Sequence, residues 1–257
     1  MALTDIDTAR ALVLDRVQPA GREIVALRAA DGRIAAREAV SRVAVPGFDN
    51  SAMDGFAVRA ADVAAGEQAP RELRVVDESR AGRPATAELG AGEAIAISTG
   101  AMVPAGADAV VRVEDTDRSG ETVAVGAAAE AGANIRRAGE DVREGDVLLE
   151  PGARIGPAAL GALAAGGTAA VECSRRPRVA VLLTGDELVE PDRDLGPGQI
   201  HDSNAYAVPP LAVAAGAEIE SVAVIGEEPT RVLLDKAWDI EAATDVAVVS
   251  QAAAARF

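Results

Sequence analysis

The segment from Pro46 to Val58 concentrates polar side chains that could do chemistry. Two carboxylates, an amide and a hydroxyl lie within it: Asp49, Asn50, Ser51 and Asp54. Three further polar clusters lie downstream, at residues 98–108, 134–141 and 184–187. Carboxylate oxygens suit hard cations such as Mg²⁺, whereas hydroxyl and amide groups donate to anions. Because each cluster follows or interrupts a β pattern, we expect four loops to converge on one anionic ligand and a hard cation.

Two interpretations of the first cluster stay open. Asx and Ser side chains in tight loops commonly bond to nearby backbone, which would make the cluster structural. Gly55, directly after Asp54, would instead let a ligand approach the backbone closely, which favours a binding site.

The second cluster contains Ser98, Thr99 and Gly100 between two strand patterns. The structural interpretation is a long hairpin loop. The functional interpretation is that the hydroxyls and amides donate to phosphate or oxoanion oxygens without adding charge.

The third cluster mixes guanidinium groups and carboxylates: Arg136, Arg137, Glu140 and Asp141. Surface salt pairing would explain it structurally. A guanidinium fork also matches an oxyanion in two-point fashion, and Asp141 could hold Mg²⁺ beside the same anion.

The fourth cluster, Asp186 and Glu187, directly follows a continuous apolar run at 179–183 that predicts a buried strand. In open α/β sheets, ligands bind outside the carboxyl ends of strands, so we expect these acids to bind a cation or to stay solvated. A cap signal follows at Asp202, Ser203 and Asn204. It predicts a helix N-terminus, which also offers free N–H groups to an anion.

Composition excludes several classes of function. The 257 residues include 41 acidic and 25 basic side chains, and the formal charge of −16 disfavours binding to nucleic acid or to an anionic membrane. No apolar run reaches about 18 residues and the N-terminus lacks a signal-like pattern, so a cytoplasmic protein is expected. Lone Cys173 and lone His201 exclude a disulfide and a Cys- or His-based metal cage, which leaves oxygen ligands and Mg²⁺.

The periodicity predicts two kinds of architecture. A capping box at Thr4 and Asp7 predicts an opening helix, and Pro157 opens a helix that should stop at Gly166-Gly167. Short β runs predict a small barrel-like or sandwich-like module. These runs are Phe56–Val58, Leu73–Val76, Ala94–Ser98, Ala109–Val113, Thr122–Val125 and Asp146–Leu149. After the basic hinge Arg175-Arg176-Pro177, strands near 179–183, 219–224 and 245–250 alternate with helices, which predicts a parallel α/β sheet.

Five ordered segments carry a family resemblance: PGFDNSAMDGFAVR, ISTGAMVPAGADAVVRVED, NIRRAGEDVREGD, LLTGDEL and GQIHDSN. In this order and spacing they resemble the molybdopterin molybdenumtransferases, the family of MoeA and the gephyrin E domain. The resemblance runs from about residue 3 to residue 250. It implies a multidomain α+β and α/β fold. Residues 1–175 would form an elongated N-terminal region with a β-barrel-like module at about 47–145, and residues 176–257 a partial α/β molybdopterin-binding domain.

The resemblance also implies a reaction. Molybdenum from molybdate is inserted into adenylylated molybdopterin, and AMP leaves with Mg²⁺ assistance. The implied catalytic residues are Asp54, Thr99, Asp141 and Glu187. The implied substrate-binding residues are Ser51, Ser98, Arg136, Arg137, Asp202, Ser203 and Asn204, and the implied magnesium ligands are Asp186 and Glu187. The family's form is a homodimer, and other proteins of molybdenum cofactor biosynthesis are possible partners.

Departures from the family pattern qualify these expectations. Members continue past about residue 250 with a Gly-rich loop and a further β domain, whereas this chain has Gln251-Ala252-Ala253, which predicts a truncated chain with poor turnover. Pro209-Pro210 is expected to interrupt the helix after Asn204. The rival hypothesis is a non-catalytic, dimeric binding or scaffold protein of the same fold.

Overall fold

The computed structural model describes residues 4–15, 17, 20–64 and 70–225. These residues form two compact units. Unit 1 consists of the described residues within Met1–Arg37, Pro151–Pro157 and Ala170–Phe257, and unit 2 of those within Glu38–Glu150 and Ala158–Ala169. The boundary predicted between residues 175 and 176 stays a prediction.

The helices and strands of both units are short. The helices are α1 (Ile6–Leu14), α2 (Pro157–Ala165) and α3 (Asn204–Ala214), with 3₁₀ turns at Leu27–Ala29, Ala60–Asp62 and Val113–Asp115. The strands are β1 (Arg22–Ala26), β2 (Ala39–Val40), β3 (Asn50–Ser51), β4 (Gly55–Val58), β5 (Arg71–Ser79), β6 (Glu93–Ile97), β7 (Ala109–Arg112), β8 (Thr116–Ser119), β9 (Thr122–Val125), β10 (Ile135–Arg136), β11 (Val147–Leu149), β12 (Ala170–Ser174), β13 (Arg178–Thr184), β14 (Leu188–Val189), β15 (Ile200–His201) and β16 (Glu218–Ile225).

Unit 2 is built on a six-stranded mixed sheet with the order β7-β4-β6-β5-β9-β8. Strands β5 and β6 run parallel, and the other neighbours in the sheet are antiparallel. Two of the two-stranded ladders, β3 with β10 and β2 with β11, tie loops of the same unit together.

Apolar side chains cover both faces of this sheet. Along β4, Phe56 and Val58 belong to one buried cluster, whereas Ala57 belongs to a second cluster with Ile95 and Val110. This separation follows from the alternation of successive side chains in a strand. The sheet is therefore a rigid base for the loops that leave its ends.

The structure confirms strands at all six predicted β runs. It adds β8, which the sequence pattern missed because Thr116–Ser119 is polar and largely exposed at the sheet edge. The described part of the chain has no ladder joining the edge strands β7 and β8, so barrel closure stays a prediction.

Helix α2 confirms the prediction from Pro157 and Gly166-Gly167. It begins at Pro157 and ends at Ala165, and Gly167 then adopts a φ of +79°. The Thr168 N–H donates to the Leu163 carbonyl at 2.8 Å, which closes the helix end.

Unit 1 contains the predicted parallel pair. Strand β13 pairs with β16 in parallel, with Val181 opposite Val222, and α3 lies between them in sequence. Residues Ala180 to Leu183 are buried, as the apolar run predicts. Strand β1 pairs antiparallel with β12 in the same unit. The strand predicted at 245–250 and the helix before it lie outside the described residues.

Two local predictions are wrong. The first cap is Asp5 rather than Thr4, because both carboxylate oxygens of Asp5 accept bonds from Thr8, at 2.9 Å from the N–H and 2.6 Å from the hydroxyl. Helix α3 passes through Pro209 and Pro210 without interruption. Since no residue of α3 is buried, water can bond the carbonyls that the prolines leave without donors.

Within the described ranges, no helix is long and apolar enough to span a bilayer.

Gly55 is required by close strand packing. A Cβ built on Gly55 would lie 1.9 Å from the Val111 carbonyl oxygen on the neighbouring strand β7. The space beside Gly55 that would have admitted a ligand is thus occupied by the sheet itself.

We expect Gly55→Ala to destabilise the protein by at least about 1–3 kcal/mol, because β7 must move to admit the methyl group. The matched control is Gly161→Ala on the exposed surface of α2, where no atom lies within 4 Å of the added Cβ. That variant should gain about 0.5–1 kcal/mol, since alanine favours helix. Urea unfolding followed by circular dichroism measures both changes. Equal midpoints for the two variants would contradict the packing argument.

Candidate functional site

Three of the four polar loops meet in unit 2 at the short strand β3. The Ser51 N–H donates to the Ala101 carbonyl at 3.0 Å, and the Gly100 N–H donates back to the Ser51 carbonyl at 2.8 Å. On the other side, β3 pairs with β10, which places Ser51 opposite Ile135. We call the loops 46–54, 98–102 and 134–141 together the loop junction.

Asp54 and Thr99 face each other across the loop junction. Asp54 Oδ1 accepts bonds from the Thr99 N–H at 2.7 Å and from the Thr99 hydroxyl at 3.0 Å. These bonds lower the pKa of the Asp54 carboxyl below its ordinary value, the backbone bond being the larger cause. The Asp54 carboxyl is therefore ionised at neutral pH, and the two bonds from Thr99 hold it in position. The two catalytic candidates from separate loops are in direct contact.

Asp49 clamps the third loop to the first. Its Oδ2 accepts a bond from Arg137 Nη1 at 2.6 Å, and its Oδ1 accepts one from the Ala138 N–H at 2.9 Å. The Ala138 bond is the largest cause of a lowered pKa at Asp49, followed by the bond from Arg137. The residues of this clamp are 88 or 89 positions apart in sequence.

Arg136 forms a second ion pair within the third loop. Its Nη2 lies 2.5 Å from Asp141 Oδ1, and its Nε lies 3.8 Å from Glu140 Oε1. The Arg137 N–H donates to Glu140 Oε2 at 2.9 Å. The salt-pairing interpretation of this cluster is thus correct for its geometry. Arginine carries five N–H donors, so each guanidinium keeps donors for a further oxyanion.

The two predicted serines differ in availability. Ser51 is buried, and its hydroxyl donates to the Met53 carbonyl at 2.6 Å. Ser98 is only partly buried, and its backbone N–H donates to the Ser79 carbonyl at 3.1 Å. The Ser51 hydroxyl therefore maintains the loop, and substrate contact by either serine stays a prediction.

Asp186 and Glu187 follow the carboxyl end of β13 in unit 1, as the sequence predicts. The Glu187 carboxylate folds back over Gly185, where an added Cβ would lie 2.5 Å from Glu187 Oε2. The Glu187 carbonyl accepts a bond from the Ile200 N–H at 2.8 Å. The turn is thereby joined to the strand that leads to Asp202.

Asp202 caps α3 and leaves one oxygen without a partner. Its Oδ1 accepts a bond from the Ala205 N–H at 3.0 Å, whereas Ser203 makes no side-chain cap bond. Asp202 is 3% exposed, and its Oδ2 is buried with no hydrogen-bond partner among the described residues. The substrate roles of Asp202, Ser203 and Asn204 stay predictions, as does the meeting of all four clusters.

Sequence reasoning missed the structural roles of Asn134, which lies in the loop junction, and of Asp77, which lies outside it. Asn134 adopts a φ of +54°, and its side chain donates to the Val110 carbonyl at 2.9 Å. Asn tolerates this conformation better than most residues, which is the available sequence signal. Asp77 accepts four bonds beside a recess of about 310 Å³, and its pKa is lowered to about 2, chiefly by the Ala87 N–H.

Comparison with known proteins identifies relatives of the chain. Residues 4–167 match the model of the MoeA N-terminal region, domains I and II. The chain is 43% identical over 205 residues to the molybdopterin molybdenumtransferase of Haemophilus influenzae, covering 79% of this chain and 50% of the relative. It is 42% identical to molybdopterin molybdenumtransferase 2 of Mycobacterium tuberculosis, covering 79% and 51%. The chain thus spans about half the length of the curated relatives it matches.

A solved structure supports the same relationship. The molybdopterin biosynthesis protein MoeA from Pyrococcus horikoshii matches with a TM-score of 0.80 and 34% identity, over 89% of this chain and 62% of that one. The residues matched by the family model, 4–167, include all three loops of the loop junction.

Replacing Thr99 by valine tests the contact at Asp54. Thr99→Val removes the hydroxyl donor and keeps the backbone donor. We expect the pKa of Asp54 to rise toward its ordinary value of 3.8 and to stay below it, because the backbone bond is the larger cause of the lowering. Carboxyl ¹³C NMR titration measures the shift, with Thr122→Val at an exposed position of β9 as the control.

The sign of the linked stability change follows from the direction of this pKa shift. Since the folded pKa of Asp54 lies below the unfolded value, its bonds stabilise the fold above the unfolded pKa. They lose this contribution as the pH falls through the folded pKa. An Asp54 titration that is the same in Thr99→Val and the parent would contradict the contact.

Proposed function

The chain belongs to the MoeA family of molybdopterin molybdenumtransferases, and we propose that it acts on adenylylated molybdopterin and molybdate. In the proposed reaction, molybdenum from molybdate enters the dithiolene of molybdopterin and AMP is released. The thiolates that bind molybdenum belong to the substrate, so the protein needs no cysteine nucleophile. Its residues instead bind, orient and balance charge.

The observation that carries the proposal is the loop junction. Strand β3 forms one ladder with β10 and backbone bonds to residues 100–102, and through them Asp54, Thr99 and the two arginines of the third loop lie within one compact unit. The proposed substrates carry several negative charges, on molybdate, on the molybdopterin phosphate and on the AMP leaving group. A site for them must place positive charge where these oxygens meet.

Local charge limits how this site can bind an anion. The clamp and the third loop contain two guanidinium groups, of Arg136 and Arg137, and three carboxylates, of Asp49, Glu140 and Asp141. Their formal charge is therefore −1, and Asp54 adds a further negative charge. We infer that anion binding here requires a cation beside the arginines.

Asp54 suits a role as a fixed anion. A general base works best when its pKa lies near the working pH, and the pKa of Asp54 is lowered instead. The family resemblance implies either metal handling or proton transfer for Asp54, and the lowered pKa favours metal handling. The Thr99 hydroxyl donates to Asp54 and must turn away from it before it can donate to an oxyanion.

The carboxylates proposed as metal ligands are of the kind that commonly binds Mg²⁺. Magnesium is commonly held by one or two carboxylates together with substrate phosphates. In the part of the chain that the structure describes, no group of three or more acidic, His or Cys side chains could hold a metal by itself. The proposed magnesium ligands Asp186 and Glu187 lie in unit 1, where the buried free oxygen of Asp202 is a further candidate. Asp54 is the proposed cation-handling carboxylate of unit 2. When bound, the ion would neutralise charge on the substrate phosphates.

Further parts of the proposal rest on the family resemblance. They are a homodimer, a cytoplasmic location and contact with other proteins of molybdenum cofactor biosynthesis. The rival scaffold function is not favoured, because the curated relatives are named as transferases.

Substrate binding with and without Mg²⁺ tests the proposal. We expect the purified chain to bind adenylylated molybdopterin and molybdate more tightly with Mg²⁺. We expect Asp54→Asn and Glu187→Gln to weaken this binding about tenfold or more, because each removes a carboxylate that would hold the cation. Isothermal titration calorimetry gives the Kd, and AMP release is followed in parallel.

Matched controls are Asp117→Asn and Glu121→Gln, which change exposed side chains of the same types on the β8–β9 hairpin. These variants should bind as the parent does. If the Kd is the same with and without Mg²⁺ and in all four variants, the proposal is overturned and the scaffold function is favoured.

A further inference from the structure

A recess in unit 1 gathers positive charge in a strongly acidic chain. It has a volume of about 100 Å³, and four arginines line it: Arg33, Arg154, Arg175 and Arg176. The recess shares no residue with the four polar loops. We propose that it binds a tetrahedral oxyanion, a site distinct in its residues from the proposed catalytic loops.

The charge of the recess is not balanced by the protein. Arg33 pairs with Glu23, and its Nη2 also donates to the Ser174 carbonyl at 2.8 Å. Among the described residues, the other three arginines form no ion pair, and no acidic side chain lines the recess. Acidic residues outnumber basic ones 41 to 25 in the chain, so carboxylate partners are abundant elsewhere. Three free guanidinium groups around one recess therefore favour an external anion.

The recess arginines differ in burial: the Arg33 side chain is largely buried, Arg176 is partly buried, and Arg154 and Arg175 are exposed. The Arg175 N–H donates to the Gly21 carbonyl at 2.7 Å, and its side chain packs on Gly21, where an added Cβ would lie 3.5 Å from Arg175 Cδ. Arg154 Nη2 lies 3.5 Å from the corresponding position on Gly32. The Arg33 side chain is 10% exposed and is fixed by its bonds to Glu23 and Ser174. A donor that is already placed loses less side-chain freedom on binding, so Arg33 would anchor the anion.

Size and chemistry select the ligand class. Liquid water occupies about 30 Å³ per molecule, so the recess holds a few waters or one four-oxygen anion in their place. Guanidinium forks match the oxygens of such an anion, and Ser174 adds a hydroxyl to the lining. The lining residues that the structure describes include no aromatic ring on which a pterin or adenine could stack. The ligand is therefore an inorganic oxyanion such as phosphate, sulfate or molybdate.

Equilibrium dialysis with phosphate, sulfate or molybdate tests this site directly, in chloride at constant ionic strength and without nucleotide or pterin. We expect saturable binding to the parent chain. The double variant Arg154→Gln/Arg175→Gln should raise the Kd about tenfold or more for each charge-assisted hydrogen bond that it removes. The ion with the lowest Kd is the oxyanion that the recess prefers.

Two double variants complete the test. Arg28→Gln/Arg37→Gln removes the same charge from exposed positions of unit 1 outside the recess and should bind as the parent does. Arg136→Gln/Arg137→Gln changes the loop junction, where the proposed function places substrate oxyanions, and shows whether any of the measured binding belongs to that site. Circular dichroism shows whether each variant is folded, and thermal unfolding with and without the ion gives a second readout.

If the recess variant and the Arg28/Arg37 control lose binding equally, the binding depends on the net charge of the protein and not on the recess. That result would overturn the proposal. Loss only in the Arg136/Arg137 variant would place the anion at the loop junction and would also overturn it. Neither result depends on AMP release, so failure here is distinct from failure of the proposed function.

Discussion

The short buried strand β3 is the constraint on which the candidate site depends. Asn50 and Ser51 are almost fully buried, and their backbone groups bond to residues of two other loops. A buried backbone N–H or C=O group without a hydrogen-bond partner is costly. If one of these loops moved away, the backbone groups of β3 would lose their partners, so the loops are held in position. The side chains of Asp54 and Arg136 are placed as a consequence of this pairing, although both are exposed to solvent. The site is thus rigid in its backbone and accessible in its side chains.

Charge balance gives the site its second property. Each guanidinium of the third loop already has a carboxylate partner, at 2.5 Å for Arg136 and 2.6 Å for Arg137. Such pairs near a surface contribute little to stability, but they fix the direction of the remaining N–H donors. The negative charge of the same carboxylates opposes strong binding of an anion to the loop junction when no cation is present. Under the proposed function, an anionic substrate and a cation would therefore bind together, and the affinity for the substrate would depend on the metal.

Much of the fold could be predicted from the sequence, because its main signals are local. Apolar runs indicated the strands of the central sheet, and Pro157 with Gly166-Gly167 indicated α2. The failures have physical causes. The polar strand β8 has no buried face, and α3 tolerates Pro209 because its carbonyls remain accessible to water. The site was predictable only as residue types: the Asp49–Arg137 clamp spans 88 positions, and no local pattern encodes such a contact. The arginines of the recess come from three separate segments for the same reason.

A double-mutant cycle at the loop junction tests the central claim most directly. The substitutions are Asp54→Asn and Arg137→Gln, and the measured quantity is the binding free energy of adenylylated molybdopterin with Mg²⁺. Side chains that act on the same ligand in one site should be coupled, so the account predicts a departure from additivity of at least about 0.5 kcal/mol. Effects that add within about 0.3 kcal/mol would show that the two side chains act independently, and would contradict a single site at this junction.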